Sequence, residues 1–261
     1  MIKHIFCDLD GTLYHHGISD DDIKAIEAIE KKGVVFNIAT GRAFKQASKM
    51  IKGKLDLNGY YICQNGAFVY DKNHNEILKE VIDDNLVKKV VNRFKSDDAY
   101  IFFMHDGNIV ISGGEDILDE FDRECINDPD FFKKDSFDNL VGNIGILSRN
   151  EDELGRMDTY YKNEFEGILD VYLSGKYVLN ISPSHISKGN AIKHVCSILN
   201  VNLDEIATIG DSPNDISMLK GFKYSFSMDS SREDVKKSSA YTVKSVKEAI
   251  EVIEKTNGVE N

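Results

Sequence analysis

Short apolar runs alternate with helical stripes in the N-terminal part of the chain. Residues 2–6 form the first run, and residues 34–39 and 60–63 form the next two. Between the first two runs, isoleucine recurs at positions 23, 26 and 29, which is the spacing of one buried helix face. Ser19 precedes this stripe as a predicted helix cap. Alternating strands and helices predict an α/β fold with a doubly wound parallel sheet.

The pattern changes in the middle of the chain, where short strands form pairs between single helices. Helices are predicted at residues 86–94, 115–125 and 151–165. The predicted strands are 100–104, Asn108–Ile111, 144–147, Leu169–Leu173 and 177–181. We expect a second α/β unit at residues 83–181, inserted into a first unit made of residues 1–82 and 182–261.

The alternation of strand and helix returns after residue 181. Apolar residues at positions 192, 195, 196 and 199 share one face of a helix, because they recur at helical spacing. Residues 206–209 form an apolar strand that leads into the polar segment 210–215. The last predicted strands are Tyr224–Met228 and Tyr241–Val243, and Ser245 is the expected cap of the final helix.

The composition is that of an ordinary folded protein, and it limits the choice of partners. The chain has 261 residues, of which 41% are hydrophobic and 29% are charged. Its net charge of −12 argues against nucleic acid as a main partner, because phosphate backbones attract basic surfaces. A small anionic ligand is still compatible with this charge, since it needs only a local positive site.

The cysteines and the apolar runs indicate the compartment. Cys7, Cys63, Cys125 and Cys196 are widely spaced and form no CxxC pair, so we expect reduced thiols in a cytoplasmic protein. The N-terminus lacks an apolar signal-peptide segment, and no apolar stretch approaches the ~20 residues needed to span a bilayer. We expect no membrane partner, and the expected assembly is a monomer or a homodimer.

Two aspartates, Asp8 and Asp10, follow the first apolar run and precede Gly11 and Thr12. Carboxylates two positions apart on a strand point the same way, and both are ionised near neutral pH because the ordinary pKa of aspartate is ~3.9. Two like charges this close repel unless a cation lies between them. Mg²⁺ prefers oxygen ligands, so we expect it here. A solvated turn at the end of a strand is the simpler alternative for this segment taken alone.

Four segments in this order resemble the motifs of the haloacid dehalogenase (HAD) superfamily. They are Asp8-Leu9-Asp10-Gly11-Thr12, Thr40-Gly41-Arg42, Lys188-Gly189 and Gly210-Asp211-Ser212-Pro213-Asn214-Asp215. The Gln-Asn-Gly-Ala segment at positions 64–67 is similar to the Cof-type phosphatases within that superfamily, whose inserted α/β cap is of the C2B type. The resemblance covers essentially the whole chain, and it implies a HAD-like Rossmannoid core with an inserted cap.

The resemblance implies a phosphatase that works through an aspartyl-phosphate. Asp8 would be the nucleophile that attacks phosphorus. Asp10 would be the general acid that protonates the leaving oxygen and later deprotonates water. Mg²⁺ would lie between Asp8 and a phosphate oxygen, and Lys188 would neutralise phosphate charge. The expected substrate is a small phosphorylated metabolite, such as a sugar phosphate.

The same resemblance assigns the groups that bind phosphate and metal. Phosphate contacts are expected from Leu9, Thr40, Gly41, Lys188 and Asn214. Metal ligands are expected from Asp8, the main-chain carbonyl of Asp10, and Asp211, with Asp215 holding metal-bound water.

Alternative roles exist for several of these residues. Thr40 and Gly41 are expected to open a helix, whose N–H groups attract anions, but Thr40 would also serve as an ordinary helix cap. Helix capping is likewise the alternative for Asn214 and Asp215. Arg42 matches the motif and is assigned no catalytic role.

The inserted unit is expected to determine the substrate. The interval between Thr40 and Lys188 is the only one between motifs that is long enough to hold a cap. His105, Arg123 and Tyr172 are polar or aromatic residues of this unit that are candidates for facing the site. The ordinary role of each is packing or surface exposure.

Three other functions stay open at this point. A phosphotransferase or phosphomutase would pass the same phosphoryl group to another hydroxyl. A phospho-switch of the receiver type also uses Asp, Thr, Lys and Mg²⁺, but it is much shorter and has no large insert. A non-catalytic protein that binds a phosphorylated ligand would leave the complete catalytic set idle.

Overall fold

A computed structural model describes residues 1–119, 125–174 and 176–259 of the chain. The strands within these residues are β1 (His4–Cys7), β2 (Val35–Ala39), β3 (Tyr61–Cys63), β4 (Phe68–Tyr70), β5 (Glu76–Lys79), β6 (Tyr100–His105), β7 (Asn108–Ile111), β8 (Ile126–Asn127), β9 (Val141–Leu147), β10 (Leu169–Leu173), β11 (Val178–Pro183), β12 (Ile206–Gly210), β13 (Tyr224–Met228) and β14 (Tyr241–Val243).

The helices alternate with these strands. Those in the described part of the chain are α1 (Asp20–Glu30), α2 (Phe44–Ile51), α3 (Asp84–Arg93), α4 (Glu115–Asp119), α5 (Glu151–Glu164), α6 (Lys188–Leu199), α7 (Ile216–Gly221), α8 (Glu233–Lys236) and α9 (Val246–Val259). The predicted cap of α1 is confirmed, because the Ser19 hydroxyl accepts a hydrogen bond from the Asp22 N–H at 3.1 Å. None of the described helices is long and apolar enough to cross a lipid bilayer.

The first sheet has, within the described residues, eight strands in the order β14-β13-β12-β1-β2-β3-β4-β5. Neighbouring strands run parallel from β14 to β3, and β4 and β5 add an antiparallel hairpin at one edge. The chain therefore winds outward from β1 in both directions. This confirms the predicted doubly wound parallel sheet.

β1 lies in the middle of this sheet, hydrogen-bonded to β12 on one side and to β2 on the other. All four of its residues are buried. Ligands of such sheets bind outside the carboxyl ends of the strands where the winding reverses. The carboxyl end of β1 is therefore the expected position of a site.

The face of α6 predicted from sequence packs on this sheet. Ile192 and Val195 of the helix share a buried apolar cluster with Phe6 of β1 and Ile62 of β3. This packing fixes α6 on the strands, so that the first residue of the helix, Lys188, has a defined position.

The second sheet has six strands in the described residues, in the order β10-β11-β9-β6-β7-β8. It is antiparallel except for the pair β7–β8. Leu154 and Tyr161 of α5 and Val87 of α3 belong to its buried core. The Tyr161 hydroxyl also donates a hydrogen bond to the Val90 carbonyl at 3.1 Å, which ties α5 to α3.

Several predicted elements of this second region differ from the structure. β9 begins at Val141 and not at residue 144, because Asn143 pairs with Met104 and its amide donates to Asn180 Oδ1 at 3.1 Å. A polar residue among glycines had concealed this strand. The predicted helix 115–125 is described only as far as Asp119, and its remaining residues up to 124 lie outside the described residues.

Two compact units divide the chain. One consists of Met1–Lys79 with Ser187–Asn261, and the other is Glu80–Ile186. The second boundary lies beyond the expected residue 181, because the ladder between β10 and β11 extends to the pair Leu169 and Pro183.

Asn37 is a fully buried polar residue of β2 that ties neighbouring segments of the first sheet together. Its Nδ2 donates to the Ile5 carbonyl at 2.9 Å, and its Oδ1 accepts from the Tyr60 N–H at 2.9 Å. Buried main-chain groups that lose such partners are costly.

The variant Asn37→Ala is expected to lose about 2–4 kcal/mol of unfolding free energy, because it leaves the Tyr60 N–H and the Ile5 carbonyl without this partner. Urea unfolding measures the loss as a lower midpoint with an unchanged slope. The exposed Asn58 supplies a matched control, and Asn58→Ala is expected to change the free energy by less than about 0.5 kcal/mol. A loss below about 1 kcal/mol in Asn37→Ala would contradict this role for Asn37.

Candidate active site

Asp8 directly follows β1 at the carboxyl edge of the first sheet. Its N–H donates to the Ile209 carbonyl at 2.9 Å, so the main chain continues the ladder to β12. Only 4% of the residue is exposed. The first sheet therefore holds this carboxylate rigidly in a nearly dry environment.

Lys188, the first residue of α6, is completely buried. Its Nζ donates to Asp8 Oδ1 at 2.5 Å and to Asp215 Oδ1 at 2.6 Å. An amine with no access to water is stable as a cation only when charged partners replace the lost hydration. The two carboxylates supply those partners, so the ammonium of Lys188 is held as a cation beside Asp8.

Asp215 uses both of its oxygens on protein donors. Oδ1 accepts from Lys188, and Oδ2 accepts from the N–H groups of Asp211 and Ser212, each at 2.9 Å. These bonds close the turn that carries Asp211. Asp215 therefore shapes the turn and holds the lysine. Its expected contact with metal-bound water stays a prediction.

Asp211 lies opposite Asp8 across this cluster. Its Oδ1 accepts from the Thr12 hydroxyl at 2.7 Å, and its Oδ2 accepts from the Ser212 hydroxyl at 3.0 Å. Gly11 permits this approach, since it has a φ of +81° and a Cβ there would lie 2.5 Å from Asp211 Oδ2. Any other residue at position 11 would displace Asp211.

Burial and neighbouring charges shift the pKa values of the cluster. Burial raises the pKa of Asp8 well above its usual range, and Asp215 and Asp211 add to the rise although Lys188 opposes it. Burial also raises the pKa of Asp211. Burial disfavours the charge on Lys188, but Asp215 and Asp8 outweigh it, so the pKa of Lys188 is raised. The lysine is therefore charged, and it does not balance the carboxylates around it.

The carboxylate cluster fits a divalent cation. Oxygens of Asp8, Asp211 and Asp215 all lie within 4.8 Å of one another. Three carboxylates against one ammonium leave two negative charges uncompensated, and hard divalent cations prefer oxygen ligands. Asp215 is fully buried and accepts from a buried ammonium and two main-chain N–H groups, whereas Asp211 is partly exposed and, within the described residues, accepts only from two hydroxyl groups. Asp8 and Asp211 are therefore the carboxylates best placed to bind such an ion directly.

Asp10 is not part of that cluster, because its side chain is paired with Arg42. Arg42 Nε donates to Asp10 Oδ2 at 2.8 Å, and Nη2 donates to Oδ1 at 2.7 Å. The Asp10 side chain is 45% exposed, whereas the Arg42 side chain is only 12% exposed. The geometry is the two-pronged one that orients a carboxylate as well as attracting it.

The expectation that Thr40 and Gly41 open a helix is wrong, since α2 begins at Phe44. The Thr40 hydroxyl accepts from the Arg42 N–H at 3.1 Å, which closes a local turn instead. Thr40 is therefore not a helix cap. Its hydroxyl hydrogen is still a donor that an anion can use.

Two further predicted phosphate contacts depend on their surroundings. The Leu9 side chain is fully buried, so its contribution to binding is confined to its main chain. Asn214 is partly exposed, and its Nδ2 donates to Asn65 Oδ1 at 3.0 Å. Asn214 therefore lies beside the cluster in a defined orientation.

Candidate residues of the inserted unit have other partners or lie outside the description. His105 Nε2 is 3.0 Å from the Phe137 carbonyl, and its ring packs edge-on against Phe131. Tyr172 is partly exposed on β10. Arg123 lies outside the described residues.

Sequence reasoning gave no role to several residues that the described part of the chain places at the site, among them Thr12, Arg42 and Asn65. Each of these three binds a predicted functional residue, as described above. All three lie within the quoted segments, so the segments themselves were the available signal. The pairings involve residues 32 to 199 positions apart, which no local pattern reveals.

The variant Asp8→Asn is expected to stabilise the metal-free protein at neutral and alkaline pH. The raised pKa of Asp8 means that its favourable contribution is complete below the unfolded value, ~3.9, and is lost as the pH rises through the folded value. Asparagine removes the repulsion and keeps an acceptor for Lys188. A gain of about 1 kcal/mol raises the melting temperature by about 2–4 °C at pH 8, and the gain disappears near pH 4.

Thermal unfolding in EDTA measures this difference, with Asp170→Asn at an exposed position of β10 as the control. Added Mg²⁺ is expected to raise the melting temperature of the wild type and to do so less in Asp8→Asn, because the variant has one ligand charge fewer. A metal-free Asp8→Asn protein that melts below the wild type at pH 8 contradicts this account of the cluster.

Comparisons with known proteins agree with this geometry. A family model described as haloacid dehalogenase-like hydrolase matches residues 5–253. Phosphatase YwpJ of Bacillus subtilis (strain 168) is 26% identical over 264 residues, covering 90% of this chain and 92% of that protein. The 5-amino-6-(5-phospho-D-ribitylamino)uracil phosphatase YwtE of the same organism is 25% identical and covers 94% and 93%.

Solved structures share the fold. The crystal structure of TM0651 from Thermotoga maritima matches with a TM-score of 0.85 at 21% identity, covering 98% of this chain and 97% of that one. The family model extends over almost all of the sequence, including every motif at the site. The chain therefore belongs to the haloacid dehalogenase-like hydrolase family, and it is a phosphatase of that family.

Proposed function

We propose that this phosphatase hydrolyses small phosphomonoesters with Mg²⁺, through an aspartyl-phosphate on Asp8. The observation that carries the proposal is the carboxylate of Asp8, buried at the end of β1 and held at 2.5 Å by Lys188. A carboxylate fixed in this way, beside two others that fit a divalent cation, is arranged for attack on an anionic phosphorus centre.

In the first step, an oxygen of Asp8 bonds to phosphorus and the ester P–O bond breaks. Lys188 holds Oδ1, so we assign the attack to Oδ2. Lys188 also stays charged next to the phosphoryl group and favours the developing negative charge. Asp8 and Asp211 would hold Mg²⁺, which when bound supplies positive charge against the phosphoryl oxygens.

Asp10 is the proposed general acid and base. It would donate a proton to the leaving oxygen in the first step. In the second step, water attacks phosphorus and its proton passes to Asp10. The bond between phosphorus and Asp8 Oδ2 then breaks, which restores the Asp8 carboxylate and frees inorganic phosphate. Both oxygens of Asp10 accept from Arg42 in this structure, so Asp10 must exchange at least one of these bonds for the leaving oxygen.

The phosphoryl oxygens would bind to groups beside Asp8. The proposed donors are the main-chain N–H of Leu9, the Thr40 hydroxyl, the main chain at Gly41 and the Asn214 amide. Gly41 and Asn214 both lie against Asn65. Leu9 follows Asp8 in the chain, and Asn214 precedes Asp215. These donors therefore adjoin the buried carboxylates, which supports a small dianionic group as the ligand.

The inserted unit, Glu80–Ile186, is the proposed determinant of the rest of the substrate. This unit has its own sheet and its own buried core, and the proposed phosphate-binding residues all lie outside it. The name of the relative YwtE refers to a phosphorylated ribitylaminouracil. That compound class and sugar phosphates are therefore sensible members of a substrate panel.

Phosphate release from p-nitrophenyl phosphate and a panel of small phosphomonoesters tests the proposal. We expect release by the wild type with Mg²⁺, loss of release in EDTA, and a decrease in Asp8→Asn of at least about 10³-fold. A variant Asp8→Asn that retains activity would remove Asp8 from the mechanism. Products in which the phosphoryl group has moved to another hydroxyl, without free phosphate, would favour a phosphotransferase or phosphomutase.

The pair of Asp10 and Arg42 yields a separate expectation. Arg42→Lys keeps the charge but loses the two-pronged contact, so Asp10 is less well oriented, and kcat is expected to fall about tenfold with a KM change below about twofold. Steady-state kinetics on p-nitrophenyl phosphate measure both. Arg156 makes the same kind of contact with Glu153 on the exposed surface of α5, which makes Arg156→Lys the matched control. An unchanged kcat in Arg42→Lys would mean that the contact between Arg42 and Asp10 does not contribute to catalysis.

A further inference from the structure

A left-handed turn follows β3 and has no role in the mechanism above. Gln64, Asn65 and Gly66 have φ values of +49°, +57° and +110°. Such backbone is unfavourable for residues with a Cβ, and two of these three have one. The surrounding contacts must hold the turn in this conformation, and they lead to three of the four motif segments.

The first contact is with the Thr40 turn. The Gln64 N–H donates to the Arg42 carbonyl at 3.0 Å, and the Asn65 N–H donates to the Thr40 carbonyl at 3.0 Å. The Thr40 and Arg42 carbonyls thus accept from the left-handed turn and not from N–H groups of a helix. This agrees with a start of α2 only at Phe44. The left-handed turn therefore sets the conformation of the segment that is proposed to bind phosphate.

The second contact is with the residue before Lys188. A Cβ on Gly66 would lie 2.5 Å from the Ser187 carbonyl oxygen. The main chain at Gly66 therefore packs directly against the start of α6. No residue with a side chain fits there without moving the segment that carries Lys188.

The third contact is made by the Asn65 side chain. Its Oδ1 accepts from Asn214 Nδ2 at 3.0 Å, and the same oxygen would lie 3.1 Å from a Cβ on Gly41. The amide group of Asn65 thus lies against Gly41 and binds Asn214 at the same time. The Asn214 amide nitrogen carries two N–H groups. One of them donates to Asn65 Oδ1, and this bond fixes the direction in which the other points.

We propose that Asn65 is a positioning residue for the phosphoryl group: it fixes the Asn214 amide and the Gly41 turn around a tetrahedral phosphate oxyanion. The inference rests on the proposed function, in which Asn214 and Gly41 contact that group. Asn65 itself need not touch the substrate. Its effect is on how well the site binds phosphate, whatever the rest of the substrate is.

The variant Asn65→Gly tests this, because glycine adopts the left-handed backbone without strain and removes the side chain that carries the amide. We expect KM for p-nitrophenyl phosphate and the dissociation constant of inorganic phosphate to rise about 3- to 10-fold, which is the worth of one hydrogen bond. The value of kcat should change by less than about twofold, because the contact is equal in ground state and transition state. Calorimetry with Mg²⁺ present measures phosphate binding without turnover.

Asn200→Gly is the matched control. Asn200 also has left-handed backbone, with a φ of +53°, at the exposed end of α6. The same chemical change there should leave KM and phosphate binding unaltered. An effect in both variants would mean that the loss is a general one, and it would overturn the role of Asn65.

A double-mutant cycle with Asn214→Ala separates positioning from a merely structural effect. Because Asn65 acts through Asn214 as well as through the Gly41 turn, adding Asn65→Gly to Asn214→Ala should weaken phosphate binding by a smaller factor than Asn65→Gly does in the wild type. Effects that multiply in full would overturn the inference, as would an Asn65→Gly protein that binds phosphate like the wild type.

Phosphate release and phosphate binding by the wild type distinguish a failure of this inference from a failure of the proposed function. A wild-type protein that neither releases nor binds inorganic phosphate contradicts the proposed function and the inference together. A wild-type protein that does both, with an unaffected Asn65→Gly variant, contradicts the inference alone.

Discussion

The ammonium of Lys188, buried between Asp8 and Asp215, is the interaction on which the site depends. It joins three segments that are distant in sequence, and its charge is stable in the interior only because both carboxylates accept from it. Without it, three carboxylates would share one dry region with no positive group among them. Asp215 transmits this order further, since its other oxygen fixes the turn at Asp211 and Ser212.

Main-chain geometry explains why the motifs contain the residues that they do. Gly11 is required because its left-handed backbone brings Asp211 to where a Cβ would be, and Gly66 is required because it touches the Ser187 carbonyl. Neither glycine acts on a substrate. They allow carboxylates, amides and the lysine to approach more closely than side chains at these positions would permit. The glycines of these segments are therefore explained by close packing and not by contact with a substrate.

The sequence was sufficient for the first sheet and for the carboxylates at its edge, because both follow from local patterns: apolar runs, and aspartates directly after them. It was insufficient for Arg42 and Asn65, whose partners Asp10 and Asn214 come from other segments. The start of α2 was wrong for the same reason, since hydrogen bonds from residues 64 and 65 take the carbonyls at Thr40 and Arg42. β9 was predicted too short because Asn143 interrupts its apolar pattern, although a cross-strand amide, Asn180, satisfies it.

The central place of β1 has a consequence for biosynthesis. β1 is made first, yet one of its two neighbours, β12, begins at residue 206. At ordinary rates of translation this neighbour emerges about 10–40 s later. During that interval the strand that carries Asp8 has an open edge, with unpaired main-chain groups and apolar residues that are buried in the finished protein. The nascent chain is therefore open to wrong strand pairing at the strand that directly precedes Asp8 of the candidate site.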